Sequence, residues 1–131
     1  LALSPRRTAT RERIMGLLWP EQGPEVARRN LNEALYVIRR ELGAEVIETR
    51  GDDLTLASVV DCDVDRFERL VASGRTVDAM RAYPGPLFGT WSVGDAPEYE
   101  QWAESARERF ARRFVTLGQD AARAAAEQGA W

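Results

Sequence analysis

Two rhythms of apolar residues run through this 131-residue chain, one recurring every three to four positions and one alternating. The first helical run is Arg11 to Leu18, with Ile14, Leu17 and Leu18 on one side. Thr10 stands where a capping hydroxyl belongs, and Trp19-Pro20 ends the run. After a short loop a longer run extends from Pro24 to Leu42. Advancing about 100° per residue, Ala27, Leu31, Ala34, Leu35, Ile38 and Leu42 fall within roughly 60° of one line, which predicts a buried stripe. Pro24 suits the first turn, Glu25 sits near the positive end of the helix dipole, and Gly43 closes the other end.

Alternation takes over at "EVIETRGDDLTLA". Val46, Glu48 and Arg50 interleave with Ile47 and Thr49, Gly51-Asp52-Asp53 make a turn, and Leu54 and Leu56 alternate again, which predicts a β-hairpin. The composition changes at "SVVDCDVD". There Asp61 or Asp63 caps a helix running to about Ala72, with Val64, Phe67, Leu70 and Val71 on its apolar side. A short helix over Val77–Ala82 and a loop of about 15 residues with Leu87, Phe88 and Trp91 as its own packing follow. Pro97 opens a last helix with the stripe Tyr99, Trp102, Ala106, Phe110, Phe114 or Val115, Leu117, Ala121 and Ala125; Gly118 weakens it without ending it. "LAL" at the start reads as the tail of a helix, "SPRRT" as a turn, and "EQGAW" as a turn into a further helix.

The long run carries its chemistry on the side away from the stripe. Arg29, Arg40, Tyr36 and Glu33 lie opposite Leu31, flanked by Val26 and Val37, with Asn30, Asn32 and Arg39 at the sides. A solvated face has no reason to place Tyr and Val at its centre over better helix formers. One Arg29–Glu33 pair is available, but from Ala27 to Gly43 four Arg against Glu33 and Glu41 exceed what pairing requires. Arg can grip phosphate or guanine, Asn can read adenine, and Tyr or Val can touch a thymine methyl, so these residue types on one helix suit a DNA major groove. A helix–loop–helix followed at once by a two-stranded ribbon is also the winged-helix order. Arg50, just before the turn, is the basic residue placed for a second contact.

Charge sharpens this picture. The chain carries 18 basic residues, all Arg, against 21 acids, a net charge of −3. The distribution is uneven. Arg6, Arg7, Arg11, Arg13, Arg28, Arg29, Arg39 and Arg40 face only Glu12, Glu21, Glu25 and Glu33 over residues 6–40, whereas acids outnumber Arg after Val59. A locally basic front is thus hidden in an acidic whole. Histidine is absent and Cys62 is alone, which removes the commonest general base, internal disulfides and cysteine-rich metal sites. "DCDVD" lacks the glycine and distal Glu of a calcium loop, and Gly85, Gly89 and Gly94 do not form a phosphate loop. No enzyme chemistry, metal or cofactor is expected. No run approaches the ~18 apolar residues of a membrane span, and a cytoplasmic setting is the expectation.

The runs "RERIMGLLWPE", "ARRNLNEALYVIRRELGAEVIETRGDDLTLA", "DVDRFERLV" and "YPGPLFG…SVGDAPEYEQWAESARERF" resemble the bacterial antibiotic-regulatory-protein (SARP) transcriptional activators. Those join an OmpR-type winged helix to a bacterial transcriptional activator domain of tetratricopeptide-like helices. The resemblance covers nearly the whole chain, and its most specific parts are "LLWPE…ARRNLNEAL…IRRELG" and "GDAPEYEQW". It implies a mainly α protein: a truncated winged helix-turn-helix with a two-stranded wing over residues 1–58, then an incomplete helical activator domain over 59–131. It further implies that Arg28, Arg29, Asn32, Tyr36, Arg39 and Arg40 contact double-stranded DNA, with Thr49 and Arg50 on the wing. Trp19, Pro20, Glu21, Gln22, Gly23, Pro24 and Glu25 would match the loop that touches RNA polymerase. Family members activate transcription at direct repeats, often as side-by-side homodimers on DNA.

This chain departs from that family in lacking the amino-terminal sheet, nearly all of the first winged-helix helix and the later activator helices, as an internal piece of a larger regulator would. Ile14, Leu17, Leu35 and Ile38 would then lack a covering layer, with marginal stability or self-association as the consequence. Asp52 and Asp53 at the turn would be repelled by phosphates. That, with nine Arg balancing nine acids over residues 1–58, supports a different class of function: a winged helix and helical repeat that dock a protein partner without binding DNA.

Overall fold

The computed structural model describes residues 1–129, a mainly helical chain with one small antiparallel sheet. A turn of 3-10 helix at Pro5–Arg7 leads into strand β1 (Thr8–Thr10), helix α1 (Arg11–Leu18) and helix α2 (Pro24–Leu42). Strands β2 (Ile47–Arg50) and β3 (Asp53–Leu56) follow, then helices α3 (Asp63–Ala72), α4 (Thr76–Arg81) and α5 (Pro97–Glu127). Contacts divide the described residues into two compact units, one of residues 1–62 with 93–99 and the other of residues 63–92 with 100–129. The expected further helix after "EQG" falls on residues 130–131, outside the described residues.

Local chemistry sets the boundaries in the first unit. Thr10 caps α1, its hydroxyl accepting from the Arg13 amide at 3.1 Å, so one orphan donor of the first turn is satisfied. Gly23 precedes α2, Pro24 fills its first turn, and the Gly43 amide closes it on the Arg39 carbonyl. Gly43 adopts φ +115°, a conformation that L side chains resist. The hairpin turns on Gly51 and Asp52, with Arg50 facing Asp53 in register. Gly51, at φ +57°, holds the first central position, where two-residue hairpin turns of type II′ place glycine.

The ribbon is not two-stranded. β1 pairs antiparallel with β3, matching Thr8 to Thr55 and Thr10 to Asp53, so the sheet order is β1-β3-β2. Three residues are too few to show an alternating pattern, which is why the sequence presents "TAT" as the edge of a helix. The amino-terminal "LAL" also differs from expectation: it is a turn, with the Ser4 amide bonded to the Leu1 carbonyl. Arg6 and Arg7 adopt positive φ, an uncommon backbone for a non-glycine residue. The Arg7 guanidinium donates to the carbonyls of Ala57 at 3.1 Å and Val60 at 2.8 Å, tying the start of the chain to the exit of the hairpin.

Leu31, Leu35, Val46, Ile47 and Leu54 form the core of this unit, with Leu1, Ile14, Met15, Trp19, Ile38, Leu56 and Val60 packed around it. Leu35 is buried and Leu54 almost completely so. The uncovered core expected from a truncated winged helix is therefore corrected at Leu35, which the hairpin and α1 cover. One member of the predicted α2 stripe is also corrected: Leu42 is 69% exposed, because the helix ends one residue later at Gly43 and the chain turns away.

In the second unit Phe67 of α3 meets Tyr83 and Phe110, and Tyr83 stacks on Phe114 at 4.8 Å between ring centres. Every residue of the α5 stripe is buried or half-buried, and Phe114 fills the place left open between it and Val115, which is exposed. Met80 of α4 lies 3.5 Å from where a Cβ on Gly118 would stand. Trp91, expected to pack its own loop, is 56% exposed. Its ring neighbours Phe88, and its carbonyl accepts from Arg107, so the loop is held by the guanidinium of Arg107, which also donates to the Leu87 carbonyl at 2.8 Å.

Candidate nucleic-acid interface

Helix α2 turns Ala27, Leu31 and Leu35 into the core, which obliges the opposite side to face water. Arg28, Arg29, Asn32, Glu33, Tyr36, Val37 and Arg40 are all exposed. Tyr36 is 65% exposed, far more than a packed phenol. The Arg40 guanidinium lies 5.7 Å from the Tyr36 ring centre and pairs with Glu41 at 2.9 Å. An exposed ion pair of this kind stabilises by at most ~1 kcal/mol, so Arg40 can exchange Glu41 for a phosphate at little cost. Among the described residues, no hydrogen bond or ion pair engages the side chains of Arg28, Arg29 or Arg50. The Arg29–Glu33 pair that the i,i+4 spacing permits is not made, which leaves both groups to solvent.

Three expected contact residues, Arg39, Thr49 and Asn32, make bonds within the protein. Arg39 donates from Nη2 to the Ile47 carbonyl and to Thr49 Oγ1, both at 2.9 Å. This bond joins α2 to β2 and occupies Thr49 as well. Asn32 Oδ1 accepts from Arg11 Nη1 at 3.0 Å, and the Arg11 amide donates to the Asp52 carbonyl at 2.8 Å. Arg11 thus bridges the hairpin turn and the flank of α2. Sequence reasoning did not single it out. The first position of a helix signals capping, whereas its place beside Asn32 depends on how α1 packs on α2.

The loop between the helices is divided in the same way. Trp19 packs on the core, whereas Glu21, Gln22, Gly23, Pro24 and Glu25 are exposed. Gln22 Oε1 accepts from Asn30 Nδ2 at 2.8 Å, which fixes the loop to α2. Trp19, Pro20, Glu21 and Gln22 also line a cavity of about 250 Å³ whose other wall is Val93, Asp95 and Ala96. The acidic cluster at the start of α3 is helix-end chemistry: Asp63 and Asp65 lie in its first turn, and the Asp63 carboxylate accepts from the Val64 amide at 2.8 Å. Among the described residues no group of His, Cys, Asp and Glu is arranged to hold a metal ion, and no helix is long and apolar enough to cross a membrane.

No family description, characterised protein or solved structure gives a significant match to the chain.

Proposed function

We propose that this chain is part of a sequence-specific, DNA-binding transcriptional activator of the SARP type, whose α2 lies in the major groove of double-stranded DNA. The observation that carries the reading is the outward surface of α2, where Arg28 and Arg29 have no partner among the described residues beside an exposed Tyr36. A guanidinium with no internal partner is free to displace a phosphate's counterions or to grip guanine with two donors.

The order β1-α1-α2-β2-β3 with sheet order β1-β3-β2 supports a winged helix-turn-helix, with α1 positioning, α2 reading and the β2–β3 turn as wing. Arg50 is the wing's basic contact, flanked by the like-charged pair Asp52 and Asp53. Glu21, Gln22 and Glu25 are the loop residues presented to RNA polymerase, and the α3–α5 helices are the tetratricopeptide-like activation part. Side-by-side homodimers on direct repeats are the expected assembly.

A salt series tests this. With duplex DNA carrying the protein's own promoter, Arg28→Ala/Arg29→Ala lowers affinity and flattens the plot of log K against log salt by about one unit per lost phosphate contact. Unchanged affinity and slope would refute the assignment. One observation favours a second reading, in which the same surface docks a protein: Val26 and Val37 are 40% and 45% exposed on the flank of α2 beside Glu33. Under that reading Val37→Asp abolishes partner binding while Arg28→Ala/Arg29→Ala leaves it intact.

A further inference from the structure

Resting on the DNA-binding reading above, we propose that Arg11 determines base specificity by occupying one lone pair of Asn32 Oδ1 and turning the carboxamide donors outward, which favours guanine over adenine. A guanidinium has N–H donors and no acceptor. The atom of Asn32 that meets Arg11 Nη1 at 3.0 Å is therefore the carboxamide oxygen, and Nδ2 is left as the outward group. Among the described residues Nδ2 has no partner, and Asn32 is exposed on the face that carries Arg28 and Tyr36. The Arg11 backbone is itself held in place, because its amide is bonded to the Asp52 carbonyl at 2.8 Å.

An asparagine reads adenine by accepting from the N6 amino group while donating to N7. With a cation on one lone pair of Oδ1, an adenine N6 donor can use only the second, beside N–H groups and a positive charge that oppose it. The N7 and O6 acceptors of guanine meet the outward Nδ2 hydrogens and are attracted by that same charge. The pair therefore leans toward the edge that an arginine would present, built from two helices instead of one side chain. Without Arg11 the same asparagine has its acceptor unopposed and with it the adenine pattern.

Selection of the chain against a pool of randomised DNA duplexes tests this. The position read by Asn32 is the one whose preference disappears in Asn32→Ala. The wild-type chain enriches guanine there, and Arg11→Ala shifts that position to adenine by at least about fivefold. Arg11→Ala/Asn32→Ala shows neither preference, which ties the switch to the carboxamide. Adenine in the wild-type selection, an Arg11→Ala pattern identical to wild type, or an Asn32→Ala pattern identical to wild type would each overturn the inference while leaving DNA binding standing. A wild-type chain that enriches no sequence would overturn both.

Discussion

At the residue scale, the arginines of the first unit fall into two chemical kinds. Arg7, Arg11 and Arg39 spend their donors on carbonyl, carboxamide and hydroxyl oxygens of the same chain, whereas Arg28, Arg29 and Arg50 keep theirs. The distinction predicts different consequences for the same substitution. Arg39→Ala removes a charged donor from two oxygens and lowers stability by about 1–3 kcal/mol, read as a drop in the denaturant midpoint. Arg29→Ala touches nothing internal and leaves that midpoint within about 0.5 kcal/mol of wild type, its effect appearing only when DNA is present. Equal losses of stability in the two variants would contradict the division. The core has a sharper dependence. Leu54 of β3 is 1% exposed in the core with Leu31 and Leu35, and Leu54→Ala is expected to cost about 2–5 kcal/mol in chemical denaturation.

At the element scale, two glycines sit in helices without a backbone reason. Gly16 in α1 has open space where a Cβ would be, and Gly118 in α5 would meet only Met80 Cε at ordinary contact distance. Gly16→Ala and Gly118→Ala should each stabilise by about 0.5–1 kcal/mol in thermal unfolding, since alanine loses less backbone entropy in a helix; a loss of stability would contradict the packing described. Elements with a long period were legible in the sequence: α1 and α2 begin and end where Thr10, Pro24 and Gly43 place them, and the α5 stripe is buried or half-buried along its length. What escaped was short or cooperative. β1 is three residues whose identity as a strand comes from β3 beside it. Leu42 follows the helical period into solvent because the core ends before it. Trp91 is apolar enough for a core, yet its loop is held by backbone bonds to Arg107. The Arg11–Asn32 and Arg39–Thr49 bonds link positions 21 and 10 residues apart, and no local pattern encodes them.

At the scale of the whole molecule, a net charge of −3 and a basic helix face are compatible because charge acts locally. At physiological salt the Debye length is about 8 Å, so the guanidinium groups of α2 are screened from acids further off than that. The overall acidity sets no bar to a phosphate at the helix surface, and binding falls as salt rises in proportion to the phosphates those guanidinium groups neutralise. The two compact units divide the work in the proposal: the first reads DNA, and the second supplies aromatic-cored helices for activation. Phe67→Ala, which opens the cluster of Phe67, Tyr83 and Phe110, is then expected to reduce promoter activation while promoter affinity stays within about twofold of wild type. A parallel loss of both would argue against that division.

The most direct measurement places a photocrosslinking amino acid at position 36 of the protein and irradiates it in the presence of duplex DNA and cell extract. The account predicts adducts to DNA from position 36 and none from position 115, an exposed site on α5. Adducts to protein alone from position 36 would contradict it and transfer the surface of α2 to a protein partner.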